Sequence, residues 1–466
     1  MHALQVLEAR DAKRSGRGTK KGQEVEGKKI TPTSEKTFAI SVVERLREAG
    51  HTALWAGGCV RDLLMGNEPS DYDVATSATP EQVRALFGHR RTLPVGMSFG
   101  VVIVLGNRGQ AEQVEVATFR TDAAYSDGRH PDAVVFSSPQ EDAQRRDFTI
   151  NGMFFDPLTQ VVVDYVGGEA DLQRGCLRAI GCADDRIGED KLRMLRAVRF
   201  AARFGFDIEA ATREAIARHA AEVTCVSGER LWIEINKTLE TSRAAWAVEQ
   251  WFELGLLQHI LPELHAHWPQ QRTAANRLLA SLTTTRPAPA AAESSPHGIA
   301  QADWLDRLAA LLWNATQGAA IENTMRSLKQ RLKSSNEVSD MLRYCISAQR
   351  ELDHAAHKPW SQVQPLLIAP NAHRAVRLFE ARVSLADARQ ATEMRDTLAW
   401  LQRHLSLPTA ELNPDPWVSG ADLIALGLEP SSRFRELLGA ARRMQLDRQL
   451  LDRPAALAWL RAQVGA

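Results

Sequence analysis

The chain has 466 residues, 44% of them hydrophobic and 24% charged, and its 57 basic and 57 acidic side chains cancel. The composition is typical of a globular protein, and the length predicts about three domains of roughly 150 residues each. The balanced charge excludes an overall basic, nucleic-acid-binding composition but leaves room for local basic patches.

The cysteines and the apolar runs also exclude several classes of protein. Five scattered cysteines without a Cys-x-x-Cys pair argue against a zinc ribbon or a disulfide framework and favour a reducing cytoplasm. No apolar run reaches the about 20 residues that a transmembrane helix needs. The N-terminus has no apolar signal core, so we predict a cytoplasmic protein without a membrane partner.

The N-terminal part of the chain predicts an α+β domain. Residues 1–33 are polar and basic, which predicts a disordered tail. A head domain over residues 34–182 begins with an amphipathic helix over 34–50. A second helix follows Pro80, with Thr79 as its N-cap. Strand-like apolar segments occupy residues 53–56, 72–75, 100–105 and 114–119.

Helical periodicity replaces the strand pattern after residue 184 and continues to the C-terminus. We predict a helical neck over 183–282, which would recognise nucleotide and RNA, and a helical body and tail over 301–466, which would bind RNA. The segment 283–300 is rich in Pro, Ala and Ser, which indicates a linker or loop. Within these parts, single helices are predicted over residues 188–205 and 375–404, and no further strand is predicted.

Asp71 and Asp73 are the strongest functional signal. Residues i and i+2 of a strand share one face, so the two carboxylates can point at one spot. Like charges held this close need a proton or a cation between them, and hard oxygen ligands favour Mg²⁺. Just upstream, the Gly57-Gly58 turn lets the backbone approach a phosphate closely. The alternative is a surface turn.

Glu115 is the candidate for a third carboxylate. It lies between Val114 and Val116 in a predicted strand and therefore points to the face opposite the valines. A third acid would complete a two-metal centre for phosphoryl chemistry. The alternative is the polar face of a half-exposed strand.

Two arginine-containing segments follow. Arg145 and Arg146 precede Asp147, and two arginines oriented by an acid can hold a triphosphate, although a helix-terminal charge cluster looks the same. Asp190, Arg193, Arg196 and Arg199 are spaced by three and would form one slanted row on a helix. Such a row offers donors and acceptors for the edge of a base, whereas the alternative is a solvated face.

Together these segments resemble the class II branch of the polymerase-β nucleotidyltransferase superfamily, which contains the CCA-adding tRNA nucleotidyltransferases and the bacterial poly(A) polymerases. The resemblance covers about residues 35–240 and weakens beyond them. It is carried by Gly57-Gly58-x-Val60-Arg61-Asp62, Asp71-x-Asp73, Arg145-Arg146-Asp147-Phe148-Thr149-Ile150-Asn151, Asp164-Tyr165-Val166-Gly167-Gly168 and Glu189-Asp190-x-x-Arg193.

The resemblance implies a polymerase-β-like head, with a small mixed sheet and flanking helices, followed by an all-α neck, body and tail. It implies that Asp71 and Asp73 bind Mg²⁺ and that Glu115 or Asp147 is the further catalytic acid. The implied nucleotide-binding residues are Gly58, Arg61 and Arg146 on the phosphates, Asp190 and Arg193 on the base edge, and Arg196 and Arg199 beyond them. A neck-helix motif over residues 227–234 would support the helix that carries these arginines.

The implied activity is template-independent transfer of nucleotides from CTP and ATP to an RNA 3′ end. The short segment 121–132 resembles the flexible loop of enzymes that complete the terminal A of CCA, which favours tRNA as the acceptor. An enzyme that adds only the terminal A and a poly(A) polymerase are alternatives. An inactive RNA-binding homologue and a small-molecule nucleotidyltransferase fit less well, because the former would not need both aspartates and the latter would not need the arginine row. The oligomeric state is left open.

Overall fold

The computed structural model describes residues 34–106, 112–122, 134–283, 302–316 and 321–465. The tail 1–33, nearly all of the predicted linker 283–300 and most of the loop 121–132 lie outside these residues. The described residues form two compact units, one ending at Val226 and the other beginning at Ser227. None of the described helices is long and apolar enough to cross a membrane.

A seven-stranded mixed sheet with the order β3-β4-β5-β2-β1-β8-β9 organises the first unit. β2 and β5 run parallel, whereas the other neighbouring pairs of this sheet are antiparallel. Its strands are β1 (Ala53–Ala56), β2 (Val74–Thr76), β3 (Thr92–Leu93), β4 (Val101–Leu105), β5 (Gln113–Thr118), β8 (Phe154–Asp156) and β9 (Val161–Val163). Two small sheets pair β6 (Arg120–Asp122) with β7 (Val134–Phe136) and β10 (Cys176–Leu177) with β11 (Asp207–Ile208).

Helices flank this sheet, and their ends follow local sequence signals. The helix after Thr79 begins with a complete capping box, in which the Thr79 side chain accepts from Gln82 N and the Gln82 side chain accepts from Thr79 N. The helices of the first unit are α1 (Ser34–Glu48), α2 (Gly58–Leu64), α3 (Pro80–Phe87), α4 (Pro139–Gln144), α5 (Gly168–Arg174), α6 (Ala183–Glu189), α7 (Arg193–Phe204) and α8 (Ala210–His219). One core cluster joins Leu54, Ala75, Phe119 and Phe154 across the sheet.

The described part of the second unit consists of helices. They are α9 (Gly228–Leu239), α10 (Ala244–Glu253), α11 (Leu257–Ile260), α12 (Pro262–His265), α13 (Trp268–Thr283), α14 (Trp304–Thr316), α15 (Ile321–Leu332), α16 (Asn336–Leu352), α17 (Trp360–Leu367), α18 (Ala372–Val383), α19 (Gln390–Leu405), α20 (Thr409–Leu412), α21 (Gly420–Ala425), α22 (Ser432–Leu446) and α23 (Arg453–Val464). Aliphatic and aromatic side chains such as Leu352, Val363 and Phe379 fill one core of this unit. The α+β class and the mainly helical second half are confirmed.

Several local predictions are wrong. β2 begins at Val74, so Asp71 and Asp73 lie just ahead of it, as the low strand propensity of aspartate explains. The predicted helix over 375–404 is two helices, α18 and α19. The neck is not purely helical, because β11 pairs with β10.

The predicted helix over 188–205 is also interrupted, at Asp190. This residue is extended (φ −145°), and its side chain accepts a hydrogen bond from Leu192 N. Aspartate favours such local capping over a helix interior, so α6 ends before it and α7 starts after it.

Candidate active site

A cavity of about 710 Å³ in the first unit collects most of the predicted site residues. Its walls come from the β1–α2 turn, the segment ahead of β2, strand β5, the chain after α4 and the start of α7. The predicted residues that line it are Gly58, Arg61, Asp71, Asp73, Glu115, Arg146, Asp147, Asp190, Arg193 and Arg196.

The parallel pairing of β2 with β5 brings Asp73 and Glu115 together. Val74 pairs with Val116, so the residues one step earlier on each chain are Asp73 and Glu115. Both valines are buried, so the preceding side chains face the other side of the sheet, toward the cavity. Although Asp73 precedes β2, its backbone continues the pairing with β1, because its carbonyl accepts a hydrogen bond from Ala56 N at 3.0 Å.

The carboxyl of Asp73 lies among acidic neighbours. Crowding by protein atoms on the cavity wall, followed by the charges of Glu115 and Asp71, raises the pKa of Asp73 to about 6, although Arg146 opposes this. Burial and the two neighbouring acids therefore both disfavour the ionised form of Asp73, and only Arg146 opposes them. A divalent cation would supply positive charge.

The donor set fits a hard divalent cation that also takes ligands from substrate. Among the residues that the structure describes, no three His, Cys, Asp or Glu side chains are grouped closely enough to hold a metal by themselves. Mg²⁺ is usually bound by one or two carboxylates, substrate phosphates and water, so Asp71 and Asp73 suffice.

The Gly57-Gly58 turn forms the floor beside these carboxylates. Gly57 has φ +73°, and a Cβ there would meet Nη1 of Arg146 at 2.9 Å. Gly58 has ordinary φ and starts α2, with its nearest contact at 3.6 Å from Nη2 of Arg61. The backbone requirement for glycine therefore falls on Gly57 and not on Gly58.

Asp142 orients the arginine pair that follows α4. Its Oδ1 accepts from Arg145 Nη2 at 2.7 Å, and its Oδ2 accepts from Arg146 Nη2 at 2.9 Å. Burial opposes ionisation of Asp142, but Arg146 and Arg145 hold its pKa below the usual range. The sequence interpretation gave this orienting role to Asp147, whereas the acid four residues before Arg146 performs it.

Asp147 is buried and forms hydrogen bonds with three other groups. It accepts from Phe148 N at 2.8 Å, from Asn151 Nδ2 at 3.0 Å and from Arg196 Nε at 2.9 Å. Burial would raise its pKa, but the charge of Arg196 and these hydrogen bonds outweigh burial and hold the pKa at about 2. Asp147 is therefore an ionised partner of Arg196 at neutral pH.

Arg193 is fixed at the first residue of α7. Its Nη1 donates to the Arg186 carbonyl at 2.7 Å and to Glu189 Oε2 at 2.5 Å, and its Nη2 donates to the Arg145 carbonyl at 3.3 Å. These contacts hold the guanidinium in place beside Asp190 on the cavity wall.

The predicted row of four residues spaced by three is wrong in two respects. Asp190 lies in the turn before α7, and Arg199 is not among the described residues that line the cavity. Each step of three drifts by about 60° around a helix, so two steps carry Arg199 away from the position of Arg193. Arg199 is buried, with its guanidinium over the Phe200 ring at 4.2 Å.

Several residues that line the cavity were not predicted as site residues, chiefly Arg203 and Asn151. Arg203 follows Arg196 by seven residues, a spacing that returns to nearly the same helix face and could have identified it. Asn151 is the last residue of the segment 145–151 and lies on a short 3₁₀ turn. It is uncharged, and its role depends on contacts with distant residues, which the spacing of residues along the sequence does not show.

Two family models match parts of the chain. The family model described as "Poly A polymerase head domain" matches residues 53–178, and the one described as "Probable RNA and SrmB-binding site of polymerase A" matches residues 205–267. Over these two segments the chain is similar to proteins of the poly(A) polymerase family.

Individual relatives carry the name CCA-adding enzyme. The chain is 40% identical to the one from Bacillus velezensis over 245 residues, which are 52% of this chain and 60% of that protein. It is 44% identical to the one from Lactiplantibacillus plantarum over 202 residues, 43% of this chain and 48% of that protein. The chain thus spans about half to three fifths of the length of these curated relatives.

A solved structure extends the similarity along most of the chain. The Bacillus stearothermophilus CCA-adding enzyme in complex with CTP has a TM-score of 0.70 and 27% identity, and the match covers 93% of this chain and 98% of that one. The fold of the helical second half is therefore shared as well.

Proposed function

We propose that this chain adds CCA, or its terminal A, to the 3′ end of tRNA without a template, using CTP and ATP. One cavity supports the proposal most directly, because it places an acidic edge opposite an arginine-rich wall. The CCA-adding enzymes among the relatives support tRNA as the acceptor. We also propose Mg²⁺ as the divalent ion and the cytoplasm as the compartment, on the donor set and the five cysteines.

In the proposed reaction, an RNA 3′-hydroxyl attacks the α-phosphate of a bound nucleoside triphosphate, and pyrophosphate leaves in line. Asp71 and Asp73 would hold Mg²⁺, which when bound lowers the pKa of the hydroxyl and neutralises charge on the leaving group. Arg146 lies beside the Gly57-Gly58 turn, and there it would hold the triphosphate.

Glu115 is proposed as the further acid in place of Asp147. Glu115 is exposed on the strand next to Asp73, and of the two acidic side chains that raise the pKa of Asp73 it has the larger effect. Asp147 is buried and its carboxylate already accepts three hydrogen bonds, so binding a metal would break them.

Nucleotide choice is proposed to lie at the start of α7. Asp190 and Arg193 offer an acceptor and donors for the edge of a base, and Arg193 is held rigidly by Glu189. CTP and ATP would satisfy these groups, whereas UTP and GTP would leave polar atoms unpaired, which is costly in a desolvated site. Arg196 and Arg203 would extend the nucleotide site along the same helix face.

Addition of adenosines to RNA 3′ ends by a poly(A) polymerase is the second candidate function, because the matched family model carries that name. An inactive RNA-binding homologue is disfavoured, since such a protein would have no need for an intact carboxylate cluster.

The Asp71→Ala variant tests the proposed chemistry. We expect it to abolish CTP incorporation into tRNA that lacks its 3′ end while leaving tRNA binding within about twofold in a filter-binding assay. Asp185→Ala, which removes an exposed acid on α6, is the matched control and should behave as wild type. Near wild-type turnover by Asp71→Ala would refute the assignment.

A further inference from the structure

A continuous chain of polar contacts runs along the bottom of the cavity. It leads from Arg61, which is proposed to contact the phosphates, to Arg196, which is proposed to lie toward the nucleobase. Arg61 Nε donates to Asp62 Oδ1 at 2.9 Å, and Arg61 Nη1 donates to Asn151 Oδ1 at 2.6 Å. Asn151 Nδ2 then donates to Asp147 Oδ1 at 3.0 Å, and Asp147 Oδ2 accepts from Arg196 Nε at 2.9 Å. Two arginines assigned to different parts of the nucleotide are thus connected through two side chains.

The middle position of this chain has a strict chemical requirement. A guanidinium only donates hydrogen bonds and a carboxylate only accepts them. A residue between Arg61 and Asp147 must therefore accept at one end and donate at the other. The amide of Asn151 does both, whereas aspartate would place an acceptor against Asp147 and alanine would offer neither group.

Burial makes these contacts expensive to lose. Arg61, Asp147 and Asn151 are 4%, 8% and 7% exposed. Arg61 is also fixed from the other side, with its guanidinium over the Phe204 ring at 4.5 Å. A buried donor or acceptor that loses its partner costs the fold the full desolvation free energy of that group. This chain of contacts therefore holds both arginines in one arrangement.

We infer that Asn151 is a positioning residue that couples Arg61 to Arg196, so that the phosphate-side and base-side arginines are set together. This inference rests on the proposed function and extends it. Asn151 would act on the nucleotide through the two arginines. Its removal should therefore weaken both nucleotide affinity and discrimination between bases, and not only the stability of the fold.

A matched pair of variants in one 3₁₀ turn separates positioning from a purely structural role. Asn151→Ala removes the bridge. Thr149→Ala removes a different buried hydrogen bond of the same turn, from Thr149 Oγ1 to Asp171 Oδ2 at 2.9 Å, and Thr149 does not line the cavity. Both variants should lower the unfolding temperature.

Binding of CTP and of UTP to the full chain would be measured by calorimetry in the presence of Mg²⁺. We expect Asn151→Ala to raise the Kd for CTP roughly tenfold, as for the loss of one charge-assisted hydrogen bond, and to lower the UTP-to-CTP ratio of Kd values. Thr149→Ala should leave both quantities within about twofold of wild type. Equal effects of the two variants on CTP binding, or an unchanged ratio in Asn151→Ala, would overturn the inference.

Coupling itself is measured with Arg61→Lys and Arg196→Lys. In the presence of Asn151 their fold-effects on the CTP Kd should not multiply, whereas in the Asn151→Ala background they should. Multiplicative effects in both backgrounds would overturn the inference.

A wild-type chain that binds neither CTP nor ATP would refute the proposed function. A wild-type chain that binds CTP, with an Asn151→Ala variant that binds it equally well, would refute only the role of Asn151.

Discussion

Replacing Asp147 with asparagine removes one negative charge from a buried site and keeps the size of the side chain. The pKa of Asp147 falls from 3.8 to about 2 in the folded protein, because Arg196 and the hydrogen bonds to the carboxylate outweigh burial. At about 1.4 kcal/mol per pKa unit, the ionised carboxylate contributes about 2 kcal/mol to stability at neutral pH. For a unit of this size, that predicts a fall of about 4–8 °C in the melting temperature of the first unit.

The pH dependence gives the sign of this effect. A carboxyl with a depressed folded-state pKa stabilises the fold above its unfolded value near pH 4, and this stabilisation is lost as pH falls toward 2. Wild type and Asp147→Asn should therefore differ most between pH 5 and 7, and the difference should shrink below pH 4 and nearly vanish only as the pH approaches 2. Thermal unfolding of both proteins across this range, with Asp185→Asn as the exposed control, measures the difference. Equal melting temperatures at pH 7, or a difference that grows on acidification, would show that the Asp147 carboxylate does not stabilise the first unit.

Three further variants test other parts of the cavity. Gly57→Ala should lower the free energy of unfolding by about 1 kcal/mol or more, because φ is +73° and the new Cβ would lie 2.9 Å from Arg146 Nη1. Urea unfolding measures this loss, and a loss no greater than that caused by Gly188→Ala would contradict the prediction. Arg203→Ala should raise the KM for CTP several-fold with little change in kcat, since the residue lines the cavity but is half-exposed. Steady-state kinetics measure both constants, and an unchanged KM would show that Arg203 does not belong to the nucleotide site. Arg193→Ala should reduce the ratio of kcat/KM for CTP over UTP, because a fixed donor for the base edge is lost; an unchanged ratio would refute that role.

The parts of the fold that the sequence predicted are those governed by local patterns. The alternation of Val114, Glu115 and Val116 predicted a strand with one buried face, and the structure has that strand and that face. The Thr79-Pro80 pair predicted the start of α3 for the same reason, since capping depends on residues close in sequence. The small strands β3, β6 and β7 were not predicted, because two- or three-residue strands depend on their partners for stability.

The candidate site was predicted as a set of residues but not as an arrangement. Charge spacing identified the arginines of α7, yet the break at Asp190 changes which of them face the cavity. Contacts between distant segments decide the remaining roles. Asp142 orients Arg145 and Arg146, and Asn151 bridges Arg61 to Asp147. Neither role follows from residue type, since it depends on the register of segments that meet only in the folded chain.

The lengths of the products on defined RNAs distinguish CCA addition to tRNA from addition of a long adenosine tail. The purified chain would be incubated with CTP, ATP or both on three RNAs: tRNA lacking its 3′ end, tRNA ending in CC, and an RNA without tRNA structure. CCA addition predicts that ATP extends the CC-ending tRNA by a single adenosine, that growth of the tRNA substrates stops at the completed CCA end, and that the unstructured RNA is not extended. A ladder of many adenosines on the unstructured RNA would contradict it and establish the poly(A) polymerase alternative.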